Sequence, residues 1–485
     1  MMINDAIVWL IAIPLLASLL SLVFPKKGTA IAIAGSILGL LASVALVYQV
    51  YQSGPITHEL GGWKDGLGIV LRVDAMSALF IVMTMLVVTM VGFYASAYFT
   101  DAHKKAQFWP LWLMMVVALI ALLASGDLFN LYVTLELLGL SAVGLTALSD
   151  NRAAVQAAIR YLGIGLLGSL VFLMGVALIY TAYGVLDLAM LATVVEAEPA
   201  AQLALALMTA GLLIKSALFP MHFWLPAAHA NAPAPVSAAL SALVVKVSVY
   251  LIIRLWFDVF SPVLQPTASF MLGVLGALAV VWGSWQALRA ERLKLMAAYS
   301  TVAQLGYLFI FIPLVMAFPV GEERNTALAA FLLLALTHAF AKSALFLSSG
   351  VVLQRAGHDR IAELGGTARA LPLTIFVIAL AGVALIGLPP SGSFLGKWYL
   401  ISSAVQTGQW WWIVVIAMGS LLAAGYMFRI LGHAFGPDES IGKVMAKGSE
   451  EIPALILALT ATVVLGFGSA WMWDFVNLAS PLAGN

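Results

Sequence analysis

Four lysines lie among apolar neighbours: Lys215 in "GLLIKSALFPMHFWLP", Lys246 in "ALVVKVSVYL", Lys342 in "THAFAKSALFL" and Lys397 in "GSFLGKWYL". One carboxylate, Glu136 in "LYVTLELLGL", shares that setting. Lysine gives up its proton readily when taken out of water, whereas arginine stays charged. A row of such lysines with one modulating carboxylate is the material of a proton relay. His338 stands four residues before Lys342, on the same helix face, and extends the row. His222 and His229, seven residues apart, alternate with Pro220, Pro226, Pro233 and Pro235. No cysteine or nearby carboxylate completes a zinc site around them, so they are read as lining a polar access path. Single residues have bland explanations. A lysine near a helix end snorkels to the interface, and Lys397 is the most open to that reading. Glu136 could serve only to neutralise one lysine inside a bundle. Such explanations do not cover all five charges, since each costs at least ~2.5–3.5 kcal/mol at the bilayer centre on insertion scales.

The elements holding these residues must be membrane helices. The chain has 485 residues, 63% hydrophobic and 9% charged, with mean hydropathy +1.05. Soluble domains carry roughly 25% charged residues. Apolar runs of helix-spanning length recur about 14 times, at roughly 6–24, 29–49, 75–99, 108–125, 128–148, 160–183, 203–225, 232–257, 268–288, 294–318, 326–353, 371–402, 410–433 and 452–476. A β-barrel would instead show alternating segments of ~10 residues. The first run lacks a basic leader and a cleavage site, and is read as helix 1. With no cysteine, the chain binds no iron–sulfur cluster and forms no disulfide. There is no Rossmann glycine fingerprint either, so no cofactor is expected. Trp410, Trp411 and Trp412 read as an interfacial anchor. The longest loop, roughly 50–74, has room for a short hairpin.

Basic residues divide unevenly between the two sets of loops. One set holds Lys26, Lys27, Lys104, Lys105, Arg152, Arg160, Arg289, Arg292, Lys294, Arg355, Arg360, Arg369, Arg429, Lys443 and Lys447. The other holds Lys64, Arg72, Arg254 and Arg324, a ratio of 15 to 4. Positive-inside asymmetry puts the first set in the cytoplasm and both termini on the outer side. Glu59, Asp65, Asp187, Glu196 and Glu198 fall in the outer loops.

Proline interrupts two of the predicted helices. Helix 7 contains Pro220 and Pro226; helix 12 contains Pro389 and Pro390 with several glycines. A broken helix is tolerated in lipid only where it is buried or lines a cavity. The two interruptions lie five helices apart, so they are inserted in opposite directions. Helices 4–8 and 9–13 are therefore expected to be inverted repeats with a transport path at their breaks. The expected blocks are three N-terminal helices (1–99), the first repeat (100–258), the second repeat (259–433) and helix 14 (434–485).

The motifs "LYVTLELLGLSAVGL", "GLLIKSALFPMHFWLPAAHANAPAPVSA", "ALVVKVSVYL", "THAFAKSALFL" and "GLPPSGSFLGKWYL" together resemble one family. It is that of the antiporter-like subunits shared by respiratory complex I, membrane-bound hydrogenases and Mrp-type multisubunit cation/proton antiporters. The resemblance covers essentially the whole chain. It implies 14 helices, two inverted five-helix repeats and a hydrated axis. Glu136 would pair with Lys215, Lys246 and the His338/Lys342 face would continue the axis, and Lys397 would gate its far end. Larger members extend beyond helix 14, and the M-type subunit of complex I has glutamate where Lys397 stands. Both points favour an Mrp D-type or complex I N-type-like subunit. The expected function is proton translocation within a multisubunit monovalent cation (Na+)/H+ antiporter of the inner membrane, alongside other membrane subunits. The alternative is a proton-pumping subunit of a complex I-like or hydrogenase complex. A stand-alone transporter is a third class.

Overall fold

The computed structural model describes residues 6–60, 68–437 and 450–479. Lys64, Asp65, Lys443, Lys447 and the two chain ends, which entered the topology argument, lie outside the described residues. The helices follow the expected order. Helices 1 to 6 are Ala6–Val23, Gly28–Ser53, Ala75–Tyr98, Ala102–Leu123, Leu128–Ala147 and Arg152–Tyr183. Helix 7 is split into Pro199–Lys215 and Leu225–Asn231, and helix 8 runs over Ala234–Val259. Helices 9 to 11 are Pro266–Arg289, Leu293–Ala317 and Glu322–Ala356. Helix 12 is split into Pro372–Ile386 and Gly392–Gln406, helix 13 is Trp411–Phe435, and helix 14 is bent at residue 468. Among the described residues, eleven helices are long and apolar enough to cross a membrane, twelve if the two arms of helix 14 form one span. The first halves of helices 7 and 12 are shorter apolar helices. This is a multi-pass, all-helical membrane protein with, among the described residues, one small hairpin, in which Ile56–Glu59 pairs antiparallel with Val70–Val73.

Several helices begin earlier than hydropathy suggests. Helix 4 starts at Ala102 and helix 6 at Arg152, because Asp101 and Asn151 accept hydrogen bonds from first-turn amides. Lys104, Lys105 and Arg152 therefore sit on helical turns beyond the apolar runs, and Arg160 lies well inside helix 6, none of them in loops. Arg254 and Lys294, both counted as loop residues above, lie inside helices 8 and 10 and are largely buried. Helix 14 bends by 70° where a straight span was expected. Gly466 lies there so close to the Pro390 carbonyl that any side chain would collide with it, which fits helix 14 against the second break. Trp410 and Trp411 are exposed as anchors should be, but Trp412 is buried and donates to Gln409.

Helices 8, 10 and 11 form the interior, while helices 1, 2, 6 and 13 leave most of their apolar surface outward. Close backbone approach sets the position of helix 7. The carbonyl of Gly168 on helix 6 stands where a Cβ on Gly211 would go, and the reverse also holds. Gly211→Val is thus expected to push helix 7 away from helix 6, at a cost of ~1–3 kcal/mol or more. Native-gel quantification should show a clear drop in assembled complex; a wild-type amount would contradict this packing.

Candidate functional site

At the first break, helix 7 ends with Lys215, and Ala217 then takes a left-handed conformation with φ 54°. Pro220 follows within the break. Pro226, grouped above with the breaking prolines, stands in the first turn of the second half, where its missing N–H costs nothing. Trp224 donates to the Ile214 carbonyl (3.1 Å), satisfying an acceptor left free by the interruption. Lys215 Nζ lies 4.0 Å from Glu136 Oε1 and donates to the Leu135 carbonyl at 3.4 Å. The two side chains border a cavity of about 30 Å³. A water needs ~10–15 Å³ measured this way, so the pair has room to be bridged.

The two histidines of this region part company. His222 is half-buried, stacks on Phe219 and lines a cavity of about 450 Å³ with Asn231, Gln286 and Tyr299. His229 is completely buried against Phe346, and neither ring nitrogen is hydrogen-bonded among the described residues. It lies within electrostatic reach of Lys294, Lys342 and Lys246. Of these two histidines, His222 borders a cavity and His229 is enclosed in the interior.

Farther in, Lys246 donates to the Ser241 carbonyl (2.8 Å) from within helix 8, whose turn Leu240–Val244 is π-helical. The Ser241 hydroxyl is 2.8 Å from that of Thr301 on helix 10. Lys342 on helix 11 donates to the Ala297 carbonyl (2.9 Å) and to the Ser300 hydroxyl, both on helix 10. His338 is buried one turn away, both ring nitrogens unpaired among the described residues, within reach of Lys246, Lys342 and Lys397.

At the second break, the first half of helix 12 ends at Ile386 and Gly387 turns left-handed at φ 86°, before Pro389 and Pro390. Ser391 then caps the second half. Lys397 reaches back across the interruption to the Ile386 carbonyl (3.0 Å) and to Ser420 (3.0 Å), with its ammonium 4.4 Å from the centre of the Tyr307 ring. Gln304 of helix 10 donates to the Leu385 carbonyl (2.9 Å) at the same break. Each buried ammonium is thus held by a backbone carbonyl, with a hydroxyl added for Lys342 and Lys397, and among the described residues Lys215 alone of the four has a carboxylate beside it. Such sites hold a proton without fixing it in a strong ion pair.

The sequence reading did not single out helix 10, which carries contacts to several of these groups. Ala297 and Ser300 hold Lys342, Tyr307 faces Lys397, Gln304 bonds the second break, and Thr301 bonds Ser241, whose carbonyl holds Lys246, all from one helix. The signal was present as polar residues spaced along one face of "KLMAAYSTVAQLGY". Lys294 at the start of helix 10 was also missed. It is buried and donates to the Ala232 carbonyl in the turn between helices 7 and 8. A third omission is the cluster of Arg254 with Asp74 and Asp258, where helices 3 and 8 meet.

A family described as NADH:quinone oxidoreductase/Mrp antiporter, TM, matches residues 125–423. The N subunit of the NADH-quinone oxidoreductase of Desulforudis audaxviator is 36% identical over 453 residues, covering 89% of this chain and 87% of the relative. The D-type subunit of the Na(+)/H(+) antiporter of Bacillus subtilis is 27% identical, covering 98% of this chain and 97% of its own. Among solved structures, a chain of the Mrp complex of a Dietzia species superimposes with a TM-score of 0.87 at 25% identity. That match covers 99% of this chain and 97% of the other.

Proposed function

Because this chain belongs to the NADH:quinone oxidoreductase/Mrp antiporter membrane family, we propose that it is the proton-translocating D-type subunit of a multisubunit monovalent cation/proton antiporter. The observation that carries the proposal is the row of buried lysines strung along helix 10 between two broken helices. Lys342 and Lys397 touch that helix directly, Lys246 bonds the carbonyl of Ser241, whose hydroxyl meets Thr301 of helix 10, and Lys215 stands at the first break beside Glu136. Protons enter near His222, pass Lys215, Lys246 and the His338/Lys342 face, and leave past Lys397. Glu136 sets how firmly Lys215 holds its proton. Helices 4–8 and 9–13 are read as inverted repeats, since the fourth helix of each set is the broken one and each break has a left-handed residue. Counting each interrupted helix as one span gives the 14 spans, and the four blocks follow from that count. The partners are the other membrane subunits of the complex, and the setting is an inner membrane.

The 36% identity to an N-type relative favours a second reading, a proton-pumping subunit of a redox complex. The native complex, purified and sealed into vesicles, separates the two. A Na+ gradient alone should drive a pH change if the antiporter proposal is right. A pH change that requires an electron donor and quinone would overturn it in favour of the second.

The basic-residue bias supports an orientation with both termini outside. Cysteines placed at Lys104 and Arg360 are expected to resist an impermeant thiol reagent applied to intact cells. Labelling of both from outside would reverse the orientation. The native chain has no cysteine, so the readout is unambiguous.

A further inference from the structure

We propose that the axis has a further opening besides those at His222 and Lys397, a water-filled port on the face opposite His222, built by Asp258, Arg254 and Tyr250 of helix 8 with Asp74 of helix 3. The inference rests on the proton-transport reading and adds a route to it. Lys246, Tyr250, Arg254 and Asp258 follow one another at intervals of four, so they form a stripe along one side of helix 8. Arg254 donates to the Tyr250 hydroxyl (3.1 Å) and to Asp258 (2.7 Å), and also pairs with Asp74. Asp74 is wholly buried as the cap of helix 3. Among the described residues, each carboxylate keeps one oxygen buried and unpaired, Asp74 Oδ2 and Asp258 Oδ1. Tyr250, Arg254 and Asp258 open onto a cavity of about 550 Å³, which Arg72, Ser125 and Arg324 also line.

Two carboxylates sharing a guanidinium leave acceptor capacity that one ion pair would have used up. Arginine does not release its proton, so the carboxylates are the carriers and Arg254 holds them in place. Asp258 is faced by Arg254 and Tyr250 on its own helix, by Asp74 of helix 3, by Arg72 of the hairpin and by Arg324 of helix 11. Lys246 closes the inner end of the stripe. Its ammonium points back to Ser241, away from Tyr250, so the port is shut here and opens when the lysine stem swings by one turn. A proton then moves from the Lys246 ammonium through water to a carboxylate oxygen, leaving a neutral amine, and passes to the cavity. No other bond changes.

The test uses the whole complex in sealed vesicles and Ser261→Cys, a position on the cavity wall. A bulky cationic methanethiosulfonate applied from the cavity side is expected to lower proton transport at least ~10-fold relative to the same variant unlabelled. A reductant should restore the rate, and the small methyl reagent should have little effect. Asp258→Asn is expected to slow transport ~10-fold and to remove the dependence of rate on cavity-side pH. Complete labelling without loss of rate, failure of the cysteine to label from that side, or a wild-type pH profile in Asp258→Asn would each overturn the port. Lys215→Ala run in parallel reports on the transport reading itself. If that variant is silent while Asp258→Asn behaves as wild type, only the port is wrong.

Discussion

Replacing Lys215 by alanine is expected to lower proton transport at least ~100-fold while the complex still assembles. The magnitude is that of losing a positioned proton donor and acceptor, ~10²–10⁴-fold. Assembly should survive because the lysine contributes little packing. Its ammonium makes one long hydrogen bond, to the Leu135 carbonyl, and one ion pair at 4.0 Å. Alanine suits the last turn of a helix, and the cavity beside Glu136 has room to hydrate the carboxylate left behind. Lys215→Arg should fail almost as badly, although it keeps the charge, because a guanidinium does not hand its proton on. Proton uptake by vesicles, normalised to complex content, is the readout. A silent alanine variant with an active arginine variant would make Lys215 a fixed counter-charge instead of a carrier.

Glu136→Ala is expected to cost ~10-fold, and Glu136→Asp clearly less. Two unit charges 4 Å apart interact by ~4 kcal/mol at an effective dielectric of ~20, and opening the pair to ~8 Å halves that. The carboxylate therefore has enough leverage to change how firmly Lys215 holds its proton as the pair opens and closes. Aspartate keeps the charge with a shorter reach, so it retains part of that leverage. Initial rates of vesicle acidification for the two variants give the comparison. Equal losses would mean that reach, not charge, is what Glu136 supplies.

Much of this was legible in the sequence because a charge in an apolar run has few explanations. Lys215, Lys246, Lys342 and Lys397 stood out for that reason, and so did the prolines of helices 7 and 12. Helix 10 did not stand out. Ser300 and Thr301 bond to their own helix carbonyls and are inexpensive in lipid, so nothing in composition marks them as the partners of Lys342 and Ser241 on other helices. Arg254 and Lys294 were misplaced for a related reason. A charge near the end of an apolar run reads as a loop residue: Arg254 lies within the run 232–257 and Lys294 opens the run 294–318, and the fold keeps both inside helices. His229 and His222 looked alike in sequence. Only the fold buries one against Phe346 and leaves the other at a cavity. The bend of helix 14 lies beside the close approach of Gly466 to Pro390, a contact between segments far apart in the chain that no local pattern signals.

The central claim is that Glu136 and Lys215 act as one proton-handling unit, and a double-mutant cycle tests it most directly. Proton transport is measured in vesicles containing equal amounts of complex with Glu136→Ala, Lys215→Ala, both, or neither. The expected result is that the double variant is no slower than Lys215→Ala alone, since the carboxylate has nothing left to act on. A double variant slower than Lys215→Ala by the full factor seen for Glu136→Ala would show two independent residues and contradict the account.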